Sequence, residues 1–184
     1  MLRRTFLLVL AAPIAGCTRT TAVPPAFGEL LTSPYRLDSG DRLRITVFEQ
    51  ASLTNTYAVD QTGHVTLPLI GSVPARGRTT QELAGAVAAE LRKGYLRNPD
   101  VSVEVDTYRP FFIMGEVRNP GQYTFVAGLT VETAVAIAGG YTPRARQDVV
   151  EISRQINGEI IRGRVPPTDS VRPGDVVKVG QRLF

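Results

Sequence analysis

The chain has 184 residues, 43% hydrophobic and 21% charged, so it can bury the core of one domain or of two small ones and is not a disordered polymer. Its formal net charge of +4 rests on scattered arginines, read mostly as solvated surface, with no cluster that also groups aromatics; this argues against a nucleic-acid groove. A single cysteine, Cys17, excludes an internal disulfide, so folding relies on packing alone.

Residues 1–16 have the three parts of an export leader: basic Arg3 and Arg4, an apolar stretch from Phe6 to Ala12, and small residues before Cys17. The stretch is too short for a spanning helix. Arg3-Arg4-Thr5-Phe6-Leu7 leaves both the general and the twin-arginine export routes open. Ile14-Ala15-Gly16-Cys17 resembles the lipobox of bacterial lipoproteins, which implies cleavage before Cys17 and acylation of that residue. Thr18 stands where an aspartate would retain such a protein at the inner membrane, so the periplasmic face of an outer membrane is the expected location. Residues 17–34 are rich in Thr, Pro and Ala, follow neither secondary-structure period and read as a tether.

A first folded unit is expected over residues 35–107. Asp38-Ser39-Gly40-Asp41 reads as a turn into a half-buried strand, with Leu43, Ile45 and Val47 alternating with Arg44 and Thr46. A strand around Tyr57 and Val59, the turn Asp60-Gln61-Thr62-Gly63 and a strand with Val65 and Leu67 predict a hairpin. Pro68 and Gly71 interrupt the next apolar run and put Leu69 and Ile70 at a strand end or bulge. Thr79 with Glu82 forms the signature of a capping box, followed by a helix with Leu83, Val87 and Leu91 on one stripe and Gly94 at its end. Asn98-Pro99-Asp100 then turns into a strand with Val101, Val103 and Val105.

Tyr35, Leu37, Gly40-Asp41, the Leu43/Ile45/Val47 strand, Gly63, Leu67-Pro68, Gly71, the helix and Pro99 with its valine strand resemble the polysaccharide biosynthesis and export domain. That domain is the N-terminal signature of outer-membrane polysaccharide exporters of the Wza type. The second unit, residues 108–184, continues the likeness. Phe111 to Val117 reads as a strand, Asn119-Pro120-Gly121 as a turn into Tyr123 and Phe125, and Thr130 as the cap of a helix closed by Gly139-Gly140. Asn157-Gly158 predicts a two-residue hairpin joining strands with Val150, Ile152 and Ile160, and Gly174-Asp175 opens a strand with Val177 and Val179. Gly115, Pro120-Gly121, the capped helix, Gly139-Gly140 and Gly174-Asp175 resemble the soluble-ligand-binding β-grasp domain, which follows the export domain in that family. The expected fold class is α+β, a small export signature domain followed by a β-grasp-like domain.

Asp41 and Asp175 share the pattern Gly-Asp, any residue, apolar, basic, apolar. A metal or acid-catalyst role would need a second carboxylate or a histidine at ligand spacing, so both are read as turn aspartates bonded to nearby N–H groups. His64, the only histidine, reads as an exposed hairpin residue. Gly139-Gly140 matches neither phosphate-binding spacing. Tyr108, Phe111, Phe112, Tyr123, Phe125 and Tyr141 could supply sugar platforms, but their strand alternation favours core packing. No catalytic constellation, metal site or cofactor site is expected.

The resemblance implies a non-enzymatic, lipid-anchored periplasmic protein that forms a homo-oligomeric ring and guides a polysaccharide outward, with an inner-membrane copolymerase or chain-length regulator as partner. Longer relatives continue into a pore-forming amphipathic helix, whereas this chain resembles the short exporters, and that resemblance implies work beneath a separate outer-membrane β-barrel or as a periplasmic adaptor. A ligand-binding sensor or adaptor without a conduit is the alternative. A glycan hydrolase would need paired carboxylates.

Overall fold

The computed structural model describes residues 34–182 apart from position 157, so the leader, Cys17 and most of the tether lie outside the described residues. In the first unit β1 (Arg42–Val47) is the middle of an antiparallel sheet, ordered β2 (Asn55–Ala58), β1, β5 (Val101–Thr107). Strict alternation in β1 buries Leu43, Ile45 and Val47 and leaves Arg42, Arg44 and Thr46 outside. The inner face is covered by α1 (Thr80–Arg92), whose buried stripe is Leu83, Val87, Ala88 and Leu91. The capping box forms as the sequence predicts: Glu82 N donates to Thr79 Oγ1 at 3.2 Å, and Thr79 N donates to Glu82 Oε2 at 2.8 Å.

One expected pairing is wrong. The Asp60–Gly63 turn forms, but β3 (His64–Leu67) does not ladder with β2; it pairs with β4 (Gly71–Pro74), Val65 opposite Val73. Two constraints decide this. Val59, just past β2, is held back on the Gly40-Asp41 turn by Val59 N to Asp41 O at 2.9 Å and Gly40 N to Val59 O at 3.0 Å. The segment Pro68–Ile70 closes the second hairpin, with Leu69 at φ 71° and exposed, which brings Val65, Leu67 and Val73 together in the first core.

The second unit is a five-stranded mixed sheet ordered β7 (Gly121–Tyr123), β6 (Phe111–Gly115), β10 (Val176–Val179), β8 (Val150–Ile156), β9 (Glu159–Val165). Only β6 and β10 run parallel. On one face α2 (Val131–Ile137) packs Val131, Ala134 and Val135, with Ala138 behind them, against Phe111, Ile113, Ile152, Val177 and Val179. A capping box of Thr130 with Thr133 starts that helix. Ile156 stands opposite Glu159, so β8 and β9 are joined by the expected two-residue loop; Asn157 itself lies outside the described residues. The strand expected to reach Val117 stops at Gly115, whose φ of 89° turns the chain, and Val117 makes only an isolated bridge to Tyr141. The fold class is α+β, with one hydrophobic core per unit.

Candidate functional site

Each unit contains a Gly-Asp turn at the start of its middle strand, and the two are built alike. Asp41 Oδ2 accepts from Asp38 N at 2.9 Å, and Asp175 Oδ2 accepts from Arg172 N at 2.8 Å, the same three-residue step back. Gly40 and Gly174 precede them at φ 94° and 84°. Both carboxylates are fully buried, and each recruits an arginine from far along the chain. Asp175 takes a two-pronged bond from Arg154, Nε to Oδ1 at 2.9 Å and Nη2 to Oδ2 at 2.7 Å. Asp41 accepts from Arg109 N at 3.0 Å, Arg109 Nη1 at 3.3 Å and the Tyr35 hydroxyl at 2.7 Å.

These two arginines are exceptions to the reading of the arginines as mostly solvated surface. Arg154 is 5% exposed and Arg109 half-buried; in sequence both look like their exposed neighbours. Only the unsatisfied demand of a buried carboxylate would have pointed to them. Burial, then the Asp41 charge, push the Tyr35 phenol well above its ordinary range, so it stays a proton donor. Burial, then Arg154, pull the half-buried Arg172 guanidinium below its ordinary range, with Asp175 partly offsetting. A carboxylate enclosed and bonded in this way meets no outside ligand. The chemistry of the two turns is the holding of strands in place.

The other singled-out residues are dispersed. Pro68 and Gly71 flank the tip of the β3–β4 hairpin, and Gly94 lies just past α1 with φ 135°. Pro120 precedes β7 and Gly121 opens it, and Gly139 and Gly140 follow α2 with Asn119 and Arg118 packed beside Gly139. His64 is half-buried rather than exposed. Its Nδ1 lies 2.9 Å from Thr62 Oγ1, and its amide helps to hold Asp60. Among the described residues no group of three or more His, Cys, Asp or Glu could hold a metal ion. The aromatics divide by pleat: Phe111 is in the core, Phe112 is 40% exposed beside Met114 on the open sheet face, and Tyr123, Phe125 and Tyr141 pack partly against the core. No helix among the described residues is long and apolar enough to cross a membrane.

Comparison with known proteins bears on both units. Residues 30–106 match the family described as polysaccharide biosynthesis/export protein, and residues 110–163 match the SLBB domain. The exopolysaccharide production protein ExoF of Rhizobium meliloti (strain 1021) is 36% identical over 118 residues, covering 58% of this chain and 28% of its own. The EPS I polysaccharide export outer membrane protein EpsA of Ralstonia nicotianae (strain ATCC BAA-1114 / GMI1000) is 26% identical over 184 residues, covering 82% and 48%. The polysialic acid transport protein KpsD of Escherichia coli is 27% identical over 111 residues, covering 59% and 20%. The chain thus spans less than half the length of these curated relatives.

Proposed function

Because the chain belongs to the polysaccharide biosynthesis/export protein family, we propose that it is a structural component of an exopolysaccharide export machine, working at the periplasmic face of the outer membrane. The observation that carries this reading is that the two matched segments follow in order and each covers residues of one of the two separate cores. The buried, bonded state of Asp41 and Asp175 favours a scaffold over an enzyme, because the two most motif-like acids are consumed by the fold.

In this reading acylated Cys17 anchors the chain, each buried methylene contributing about 0.8 kcal/mol, so that several acyl chains together hold it on the bilayer almost permanently. Copies close head to tail into a ring whose axis offers the polymer a passage, and an inner-membrane copolymerase or chain-length regulator feeds that passage. Gene deletion is the test. Polymer should accumulate in the periplasm while synthesis continues, surface staining should be lost, and the particle solubilised in detergent should have the mass of a closed oligomer. Normal surface polymer in the deletion strain, together with a monomeric particle, overturns the proposal and leaves the sensor reading. Fatty-acid labelling that is equal in wild type and Cys17→Ser removes the anchor.

A further inference from the structure

The segment Tyr108–Pro110 that joins β5 to β6 has none of the marks of a flexible linker. Junctions between units of one chain move by default unless specific contacts hold them. Here every residue of the junction is engaged. The Tyr108 ring meets Tyr35 edge-on, centroids 5.0 Å apart at 85°, and Phe125 at 5.4 Å and 74°. Tyr35 packs on the first core and Phe125 on the second, so the three rings form a bridge between them. Pro110 O accepts from Gly174 N at 3.0 Å.

Arg109 lies in the middle. On one side it reaches the first unit, with its backbone and guanidinium on Asp41, its Nη1 donating to Tyr35 Oη at 2.9 Å and its Cζ 5.8 Å from the Tyr35 ring centroid. Asp38 Oδ2 stands 4.0 Å from Nη2. On the other side lies the Gly-Asp turn of the second unit. A Cβ added to Gly174 would fall 2.5 Å from Arg109 Nε and 3.3 Å from its Cδ. Gly40 presses from the first unit, where an added Cβ would sit 3.4 Å from Arg109 Cβ. The two similar turns therefore close on one side chain, and the absence of a side chain at 174 is what makes room for it.

We infer that Arg109 is a lock between the two units: the Asp38–Asp41 turn grips its head, the Arg172–Asp175 turn backs its stem, and together they fix the angle between the two sheets. The inference does not depend on what the protein exports. A lysine is an incomplete substitute: its ammonium could replace Nη1, the one guanidinium nitrogen bonded to Tyr35 and Asp41, but it has no counterpart to the planar Nε and Nη2, which lie against Gly174 and 4.0 Å from Asp38 Oδ2 respectively.

Hydrogen exchange of the full-length chain tests this by reading both turns at once. Arg109→Ala should raise exchange at least tenfold in peptides covering 38–41 and also in those covering 172–175, while β1, β5, β8 and β9 stay protected. Gly174→Ala gives the sharper test, since it acts from the second unit and should loosen residues 38–41 of the first by displacing the Arg109 stem. If Arg109→Ala does not fold, Arg109→Lys replaces it and should loosen both turns to a lesser degree. Loosening of only one turn in the Arg109 variant, or unchanged exchange at 38–41 in Gly174→Ala, overturns the inference.

Discussion

Replacing Gly115 by alanine should damage the second unit far more than its single methyl group suggests. Gly115 sits at the end of β6 opposite Val179 of β10, at φ 89°. An alanine there meets two separate penalties. Holding a non-glycine residue at such a φ costs roughly 1–2 kcal/mol. The new Cβ would also fall against the Val179 carbonyl, deep inside contact with its oxygen and 3.1 Å from its carbon. That oxygen accepts the Glu116 amide at 3.0 Å, so relief of the overlap must spread the parallel pair and strip this bond, at a further cost of about 1–3 kcal/mol. The expected loss is therefore roughly 2–5 kcal/mol, which for a unit of this size shifts melting by about 8 °C or more. Gly128 supplies the control in the same unit, with φ 83° but nothing within 4 Å of an added Cβ, so alanine there should cost only the backbone term, about 1–2 kcal/mol. Urea and thermal unfolding of both variants, followed by circular dichroism, measure the difference. Equal losses would mean that the β6–β10 contact is not as tight as argued.

Three further outcomes follow from local geometry. Arg154→Met leaves the Asp175 carboxylate buried with Arg172 N as its remaining described donor and should cost about 3–5 kcal/mol; the double variant Arg154→Met/Asp175→Asn should recover part of that in a double-mutant cycle. Thr79→Ala removes one half of the α1 capping box and should cost about 1 kcal/mol in urea unfolding. Bonds from the His64 amide first, then from Thr62 Oγ1 and N, hold the exposed Asp60 carboxyl below its ordinary range. Since its folded pKa is depressed, its contribution is full above about pH 4 and fades as pH falls through the folded value, so wild type and Asp60→Asn should differ at pH 7 and converge in acid urea titrations.

What the sequence made legible was whatever is decided within a few residues. The alternation of β1, the Thr79–Glu82 capping box, the Thr130 cap and the turn glycines are local patterns, each set by residues close by in the chain. Strand pairing is a different kind of question. The run from Tyr57 to Pro74 contains two chain reversals, and local chemistry favours the Asp60–Gly63 turn as the hairpin, since Leu69 at the other reversal has no local reason to take a positive φ. The ladder formed instead is the one that puts Val65, Leu67 and Val73 under α1, and that requirement comes from the finished core.

The Gly-Asp pair carries the same lesson further. The two motifs are nearly interchangeable in sequence and build the same turn, each with an aspartate bonded to an amide three residues earlier. Their roles diverge only through the arginine that each captures. Asp175 takes Arg154 from β8 of its own sheet, which ties neighbouring strands of one unit. Asp41 takes Arg109 from beyond the end of β5, in the segment that leads into the second sheet. A repeated local motif thus specifies a buried acceptor without saying what it will hold. Whichever cation the topology delivers decides whether the turn stiffens a sheet or joins two units.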